Sequence, residues 1–261
     1  MNRRKVFDVL ALQLLRLTQV LSTRIVGQKP IRGFARLREY FEGKCGLEIG
    51  GPSALFRSRS LLPIYPIAGS CDNCNFASVT IWQEQGKDFR YSGHKPAGRQ
   101  FICEATDLHD IGNSSYDFVM SSHVIEHSAN PIKALKEWER VLRKNGVILV
   151  VCPDGRKTFD HRRPVTPTSH LVEDFDNNID EHDLTHLSEI IDLHDLSLDI
   201  PAGTLEQFIL RSQQNFENRC LHHHVFIPQS WADIFDYLKL QTLLIETAAP
   251  HHIVAIAKKI Q

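Results

Sequence analysis

The chain has 261 residues, of which 42% are hydrophobic and 23% charged, and its formal net charge is −1. This composition is that of an ordinary globular protein, and the near-zero charge gives no reason to expect nucleic acid as a partner. The six cysteines are scattered along the chain, which argues against a secreted disulfide scaffold. Only Cys71 and Cys74 form a C-x-x-C pair, and a four-thiolate zinc site would need a second such pair. We therefore expect a reducing cytoplasm, and the sequence assigns no metal site.

Residues 1–30 are predicted to form an amphipathic N-terminal helix. The apolar residues of this segment fall on one helical face, and the apolar run is too short and too polar to span a bilayer. The helix either packs on its own domain or makes a weak contact with an anionic membrane surface through its basic residues. We favour packing. A second helix is predicted over residues 33–42.

A short buried strand that ends in a glycine turn organises the rest of the sequence. Leu47 and Ile49 suit the middle of a parallel sheet, and Gly50 and Gly51 allow a ligand to approach the bare backbone. Glu48 is expected to reach past the end of the strand, into the crevice where parallel sheets bind ligands.

Three further strands are predicted over residues 63–70, 100–105 and 116–122. Asp72 follows the first of them at the spacing at which an acid meets ribose hydroxyls in dinucleotide-type folds, although a plain turn aspartate is an equal alternative. Asp107 follows the second strand, where it could accept a hydrogen bond from an adenine amino group. His123 and Glu126 continue beyond the end of the third.

The remaining core elements are a helix over residues 131–144, a strand over 147–151, a helix over 228–239, and strands over 240–247 and 253–257. Asn130 caps the first of these helices, and Pro131 takes its first position. His251 and His252 lie in the turn between the last two strands and are expected to face solvent.

Residues 156–220 are longer than a plain connection and carry helical patterns, so we interpret them as a helical lid insertion above the crevice. Because this segment leaves directly from a central strand, its first residues should lie near the site. Arg162 and Arg163, with His161 beside them, are candidates for binding a carboxylate or phosphate on the substrate. The alternative is that these side chains pair with the acids of the lid.

His222 and His224 share one face if their segment is extended. Three roles remain open for them. They could supply a general base, since histidine titrates near neutral pH. They could bind a metal with Asp160, His161 or His186, as in a metal-dependent hydrolase. They could also simply pack and form hydrogen bonds.

Taken in order, these segments resemble the class I S-adenosylmethionine-dependent methyltransferases over residues 33–155 and 221–259. The matching pieces are the acid-x-glycine turn Glu48-Ile49-Gly50-Gly51, Asp72 after the second strand, Asp107-Leu108 after the third, the fourth strand with Ser122-His123-Val124-Ile125-Glu126-His127, and Asn145-Gly146. One departure is Pro52, which stands where the family usually has glycine and has no N–H to offer a cofactor.

The resemblance implies an α/β fold, with a Rossmann-like seven-stranded methyltransferase sheet and a closing antiparallel hairpin. Residues 31–155 would form the cofactor-binding core and 221–261 its C-terminal part, with the lid of residues 156–220 between them. The implied cofactor is S-adenosyl-L-methionine. The implied cofactor-binding residues are Glu48, Gly50, Gly51, Asp72, Asp107, Leu108 and Ser122, and the carboxylates of Glu48, Asp72 and Asp107 are expected to converge on an adenosine.

The activity that the resemblance implies is in-line methyl transfer to a small-molecule or sugar-type acceptor. His123 would handle the substrate, Glu126 would orient His123, and His224 is a second candidate base, with His161, Arg162, Arg163 and His222 as substrate-binding residues. The lid arginines favour an anionic acceptor. The alternative function is a non-catalytic cofactor- or nucleotide-binding module of an assembly or biosynthetic complex, which Pro52 and the long lid motivate. The oligomeric state is left open.

Overall fold

The computed structural model describes residues 29–80, 82, 84 and 86–260. The amphipathic helix predicted at the N-terminus falls almost wholly outside these residues. Within them, no helix is long and apolar enough to cross a membrane.

Eight strands form one mixed sheet. They are β1 Cys45–Ile49, β2 Ser70–Asn75, β3 Asp88–Phe89, β4 Gly98–Ile102, β5 Tyr116–Ser122, β6 Leu142–Pro153, β7 Gln241–Ala248 and β8 His252–Lys258. Their order across the sheet is β3-β4-β2-β1-β5-β6-β8-β7. Strands β4, β2, β1, β5 and β6 run parallel, whereas β8 runs antiparallel to β6, and β7 antiparallel to β8. The predicted Rossmann-like sheet with its closing hairpin is confirmed, and the short antiparallel edge strand β3 adds an eighth strand.

The α-helices are α1 Phe34–Leu37, α2 Pro131–Val141, α3 Thr168–Asp176, α4 Leu187–Leu193, α5 Leu205–Gln213, α6 Asn215–Asn218 and α7 Pro228–Tyr237. Helix α2 begins where the sequence predicts, because the Asn130 side chain accepts a hydrogen bond from the Lys133 N–H at 3.0 Å. It ends three residues earlier than predicted, because Leu142 already pairs with Tyr116 at the start of β6.

The central strands are buried on both faces. Along β5, Val119 packs into the apolar cluster on one face of the sheet, while Phe118 and Met120 pack into the cluster on the other. This alternation is the two-residue period of a strand. All three side chains are fully buried, as is the Trp138 side chain of α2 that covers the first face.

Two strands are displaced from their predicted positions. The second predicted strand, over residues 63–70, contains Pro63 and Pro66, which cannot donate to a ladder. The observed strand β2 instead begins at Ser70 and ends at Asn75. The third predicted strand, over residues 100–105, begins and ends earlier, as β4. A strand end that moves by three to five residues brings different side chains to the edge of the sheet.

Gly46 lets β1 and β5 pack closely. A Cβ atom at this position would lie 2.0 Å from Cε2 of Phe118. We expect Gly46→Ala to lower the free energy of unfolding by about 1–3 kcal/mol, because the buried ring has to shift. Urea unfolding followed by circular dichroism measures the change.

Gly93→Ala is the matched control, since a Cβ there would have no other atom within 4 Å. The free energy of unfolding of this variant should differ from that of wild type by less than about 0.5 kcal/mol. Equal urea midpoints for the two variants would contradict the close packing at Gly46.

Candidate functional site

A cavity of about 510 Å³ lies at the carboxyl ends of β1, β2, β4 and β5. The residues that follow these strands form most of its wall: Gly50, Pro52 and Ser53 after β1, Asn75 and Phe76 at the end of β2, Cys103, Glu104 and Ala105 after β4, and Ser122, His123 and Val124 at the end of β5. This is the edge at which parallel α/β sheets bind ligands, and the volume suits a small molecule.

The loop after β1 brings bare backbone to the cavity. Gly50 has a φ of +80°, and its N–H donates to the Cys74 carbonyl at 2.8 Å. A Cβ at Gly50 would lie 2.4 Å from Cγ2 of Val124, so glycine is required both by the backbone conformation and by space. The Gly51 N–H is directed away from the cavity, to the side-chain oxygen of Asn73 at 2.9 Å.

Glu48 supports this loop from behind and is not part of the cavity wall. Its Oε1 accepts from the Ser53 N–H at 2.9 Å, and its Oε2 accepts from the Tyr65 hydroxyl at 2.6 Å. Burial raises the pKa of this carboxyl to about 7, although both hydrogen bonds oppose the rise. The expectation that Glu48 reaches into the crevice is wrong, because its carboxylate is fully buried and occupied by the loop.

Asp72 also lies away from the cavity. It stands in the middle of β2, and its carboxylate accepts from the Arg99 N–H at 2.7 Å and from the Tyr116 hydroxyl at 2.7 Å. The expectation that Asp72 stands at the crevice is wrong, because β2 continues to Asn75 and it is Asn75 that reaches the cavity.

The third predicted acid is displaced in the same way. Asp107 is exposed, 3.4 Å from the ring of His109, and the buried Leu108 donates its N–H to Glu137 at 3.0 Å. Neither residue lines the cavity. Because β4 ends at Ile102, the carboxylate brought to the cavity is that of Glu104. The three acids predicted to converge therefore point into unrelated regions.

Glu104 is held by a residue from the insertion. The Arg219 guanidinium donates to Glu104 at 2.5 Å and lies over the ring of Phe76, 5.1 Å from its centroid. Glu181, also from the insertion, lines the same side and accepts from the Ala129 N–H at 3.3 Å. Burial raises the pKa of Glu181 to about 7. The insertion thus contributes part of the cavity wall, as a lid would.

His123 and His252 form a pair at the opposite side. His123 has a φ of +55°, uncommon for a residue with a side chain, and its N–H donates to the Val151 carbonyl. Its Nε2 lies 3.0 Å from Nδ1 of His252, and its Nδ1 lies 3.3 Å from a carboxylate oxygen of Glu126. His252 is buried and lines the cavity, so the expectation that it faces solvent is wrong; β8 begins beside Pro153 at the carboxyl end of β6.

Glu126 is a buried carboxylate surrounded by imidazoles. Burial would raise its pKa, but the contact with His123 and the nearby rings of His127 and His222 outweigh burial and lower the pKa to about 2. His222 donates from Nδ1 to Asp160 at 2.6 Å. Burial lowers the pKa of His222, and the Asp160 carboxylate raises it by more, so the net direction is upward. Glu126 is therefore placed to orient and stabilise a charged imidazole.

His161, Arg162 and Arg163, predicted to bind substrate, contact carboxylates of the insertion instead. Asp195 accepts from Arg162 at 2.7 Å and lies 3.0 Å from Nε2 of His161. Arg163 is buried and donates to Glu189 at 2.9 Å and to Asp160 at 3.0 Å. None of these three predicted side chains lines the cavity, so the alternative of pairing with acids of the lid is what the structure shows.

His224 does not reach the cavity either. Its Nε2 lies 3.0 Å from the Asp174 carboxylate, and its Nδ1 lies 3.3 Å from the Ser128 carbonyl oxygen. Because the side chain is almost fully buried and does not line the cavity, the structure does not place His224 as a base in the crevice.

Among the predicted site residues, the cavity brings together Gly50, Ser122 and His123, with Glu126 directly beside them. The wall residues that the sequence interpretation missed are Asn75, Glu104, Glu181, Arg219 and His252. A signal existed for Glu104 alone, since an acid precedes Ala105 in the segment already singled out. Asn75 lies beyond the predicted end of the second strand, and Glu181, Arg219 and His252 are brought to the cavity by distant parts of the chain.

A family model described as a methyltransferase domain matches residues 65–150, from the segment before β2 into β6. No curated protein matches the sequence. Among solved structures, a SAM-dependent methyltransferase from Aquifex aeolicus is 12% identical, with 90% of this chain and 92% of that chain covered and a TM-score of 0.46. An S-adenosylmethionine-dependent methyltransferase from Mesorhizobium loti is 9% identical, with 88% and 99% covered and a TM-score of 0.49.

The buried Glu48 should make stability depend on pH. Its pKa is about 7 in the folded chain, against 4.5 for an ordinary glutamate. Its contribution to stability is therefore full below pH 4.5 and is lost as the pH rises through 7. Relative to Glu48→Gln, the free energy of unfolding of wild type should fall over this range by on the order of 3 kcal/mol. Urea titrations across the range measure it.

Glu206→Gln is the control for this titration. Glu206 is exposed, and its hydrogen bond with Thr204 lowers its pKa, so this acid titrates below the range in question. The difference in stability between wild type and Glu206→Gln should stay constant from pH 4.5 to 7. A constant difference for Glu48→Gln as well would show that the buried carboxyl is not perturbed.

Proposed function

Because this chain contains a class I S-adenosylmethionine-dependent methyltransferase domain, we propose that it is an active methyltransferase with a small-molecule or sugar-type acceptor. The observation that carries the proposal is the cavity at the carboxyl ends of β1, β2, β4 and β5; the ends of β2, β4 and β5 lie within the segment that the family model matches. S-adenosylmethionine supplies an activated methyl group on a sulfonium when bound.

The residues of the cavity fit this cofactor in charge and in shape. The cofactor carries a ribose diol, an adenine amino group and an α-ammonium group, all of which need hydrogen-bond acceptors. The wall offers the Glu104 and Glu181 carboxylates, the Asn75 amide and the Ser122 hydroxyl. Gly50 leaves the backbone bare where a Cβ would collide with Val124. These residues would hold the cofactor and exclude water from it.

His123 is the proposed general base for the acceptor. It lines the cavity at the end of β5. Its Nδ1 faces the Glu126 carboxylate, and its Nε2, which would take the proton, lies against Nδ1 of His252, a cavity-lining ring that the acceptor would replace as the partner of Nε2. A buried carboxylate beside an imidazole stabilises the imidazolium that forms when the ring takes a proton. Glu126 is therefore a positioning residue, and the proton of the acceptor would pass to His123.

The acceptor side of the cavity is open and aromatic. Trp82 lines the cavity with 56% of its surface exposed, and its ring packs edge-on against His127 at 5.6 Å between centroids. An exposed indole at the rim of a cavity offers a flat apolar face with a polar N–H, which suits the C–H face of a sugar ring or a planar small molecule. This supports a sugar-type acceptor over a long apolar one.

The alternative is a binding module without catalysis. Pro52 lines the cavity and has no N–H to donate to the carboxylate end of the cofactor. Binding of S-adenosylhomocysteine without release of methylated product, across nucleotide sugars, hexose phosphates and hydroxy acids, would favour this alternative over the enzyme.

Isothermal titration calorimetry with S-adenosylhomocysteine tests the cofactor site. Glu104→Gln should weaken binding by about tenfold, since it removes a hydrogen bond to a charged acceptor. Asp107→Asn is the matched control, because Asp107 is exposed three residues further on and should leave affinity within about twofold. Wild type that does not bind, or equal losses in both variants, would contradict the site.

His123→Asn tests the proposed base. We expect methyl transfer to fall by about 10²-fold or more, while affinity for S-adenosylhomocysteine stays within about twofold. The measurement is the rate of S-adenosylhomocysteine release with the best acceptor of the panel, as a function of pH. His109→Asn, at an exposed histidine far from the cavity, should keep the wild-type rate. An unchanged rate and pH profile in His123→Asn would overturn the role of His123.

A further inference from the structure

Three histidines and an aspartate that the methyl-transfer site does not use meet below the cavity wall. His170 and Asp174 lie one turn apart on α3, His186 precedes α4, and His224 comes from the segment that returns to the core. One ring nitrogen of each histidine lies within 4.8 Å of the others. These four residues, here called the lid histidine cluster, join the insertion to the core.

Three distances in the lid histidine cluster are close to those of a small coordination shell. Nε2 of His170 lies 3.0 Å from Nε2 of His186, and the Asp174 carboxylate oxygen lies 3.0 Å from Nε2 of His224 and 3.5 Å from Nε2 of His170. A tetrahedral zinc ion with bonds of about 2.0–2.1 Å holds its ligand atoms about 3.3 Å apart. The observed spacings lie on both sides of that value.

The hydrogen bonds of His224 indicate which nitrogen a metal would take. Nδ1 faces the Ser128 carbonyl oxygen and Nε2 faces the Asp174 carboxylate. A neutral imidazole has one N–H, so either tautomer leaves a lone pair against an oxygen. A metal at Nε2 removes this conflict, because Nδ1–H then donates to the carbonyl while Nε2 and the carboxylate share the ion. A backbone carbonyl in this position is the usual outer partner of a ligating histidine.

The same ion resolves the contact between the other two rings. His170 and His186 face each other through Nε2, the same nitrogen in both. Two nitrogens at this distance either share a proton or bind one cation. Imidazole nitrogens and a carboxylate form a donor set that suits zinc and related divalent metals.

We propose that His170, His186, His224 and Asp174 bind a divalent transition metal, with zinc as the best fit, in a closed four-coordinate site. The site is structural, because all four positions are filled by the chain and none of its residues lines the cavity. It closes a loop between Asp174 and His186 that carries Glu181, so the metal fixes one wall of the cavity without touching its contents.

The experiment uses the full chain without a histidine tag, stripped with a chelator and dialysed against zinc chloride. Metal content is then measured by mass spectrometry. His186→Ala and Asp174→Asn should each hold one equivalent of zinc per chain less than wild type. His109→Ala, an exposed histidine outside the cluster, should hold as much as wild type. Wild type without zinc, or His186→Ala with the wild-type content, overturns the proposal.

A second measurement on wild type alone covers the case in which a variant fails to fold. Cobalt(II) in the stripped protein should give the intense visible bands of a four-coordinate centre, and zinc should raise the Tm of the stripped protein. Weak six-coordinate bands, or an unchanged Tm, would overturn a closed structural site. Neither readout involves a methyl donor, so failure here is distinguishable from failure of the proposed function.

Discussion

A buried carboxylate shapes the loop on which the cavity depends. Glu48 lies fully inside the protein, and its hydrogen bonds to the Ser53 N–H and the Tyr65 hydroxyl hold the turn after β1 in one conformation. Burial of an acid is costly, and these bonds offset part of the cost. In this conformation the turn places Gly50 in the cavity wall. Glu48, which the sequence suggests as a cofactor-binding residue, therefore stabilises the loop instead. The groups that face the cavity come from the ends of β2, β4 and β5.

The elements that the sequence predicted well are those whose signals are local. Strand β5 was predicted with its observed bounds, Tyr116–Ser122, because it has an apolar centre, Phe118-Val119-Met120, between more polar ends. Helix α2 begins at its proline and cap. Strands β2 and β4 were misplaced, and the error carried Asp72 and Asp107 into the predicted site in place of Asn75 and Glu104. The predicted sheet is still correct, because the fold depends on which strands pair. The site residues are not, because they depend on where each strand ends.

The remaining site residues could not be predicted from local patterns. His252 reaches the cavity because β8 runs antiparallel to β6, and Arg219 reaches it because the insertion folds back over Glu104. Their positions follow from contacts between segments about a hundred residues apart. The sequence left His222 and His224 between base, metal and packing roles. In the structure His222 contacts Asp160 and His224 belongs to a separate cluster behind the cavity, whereas His123 faces the cavity.

Arg163 joins the insertion to the chain that follows it. Its guanidinium donates to the backbone carbonyls of His222 and His223 as well as to Asp160 and Glu189. Removing one partner of such a buried charge costs about 3–5 kcal/mol. Grafting residues 156–220 onto another sheet of this fold would leave this guanidinium facing a foreign backbone. A chimera that carries the insertion would therefore have to include the return segment through His224.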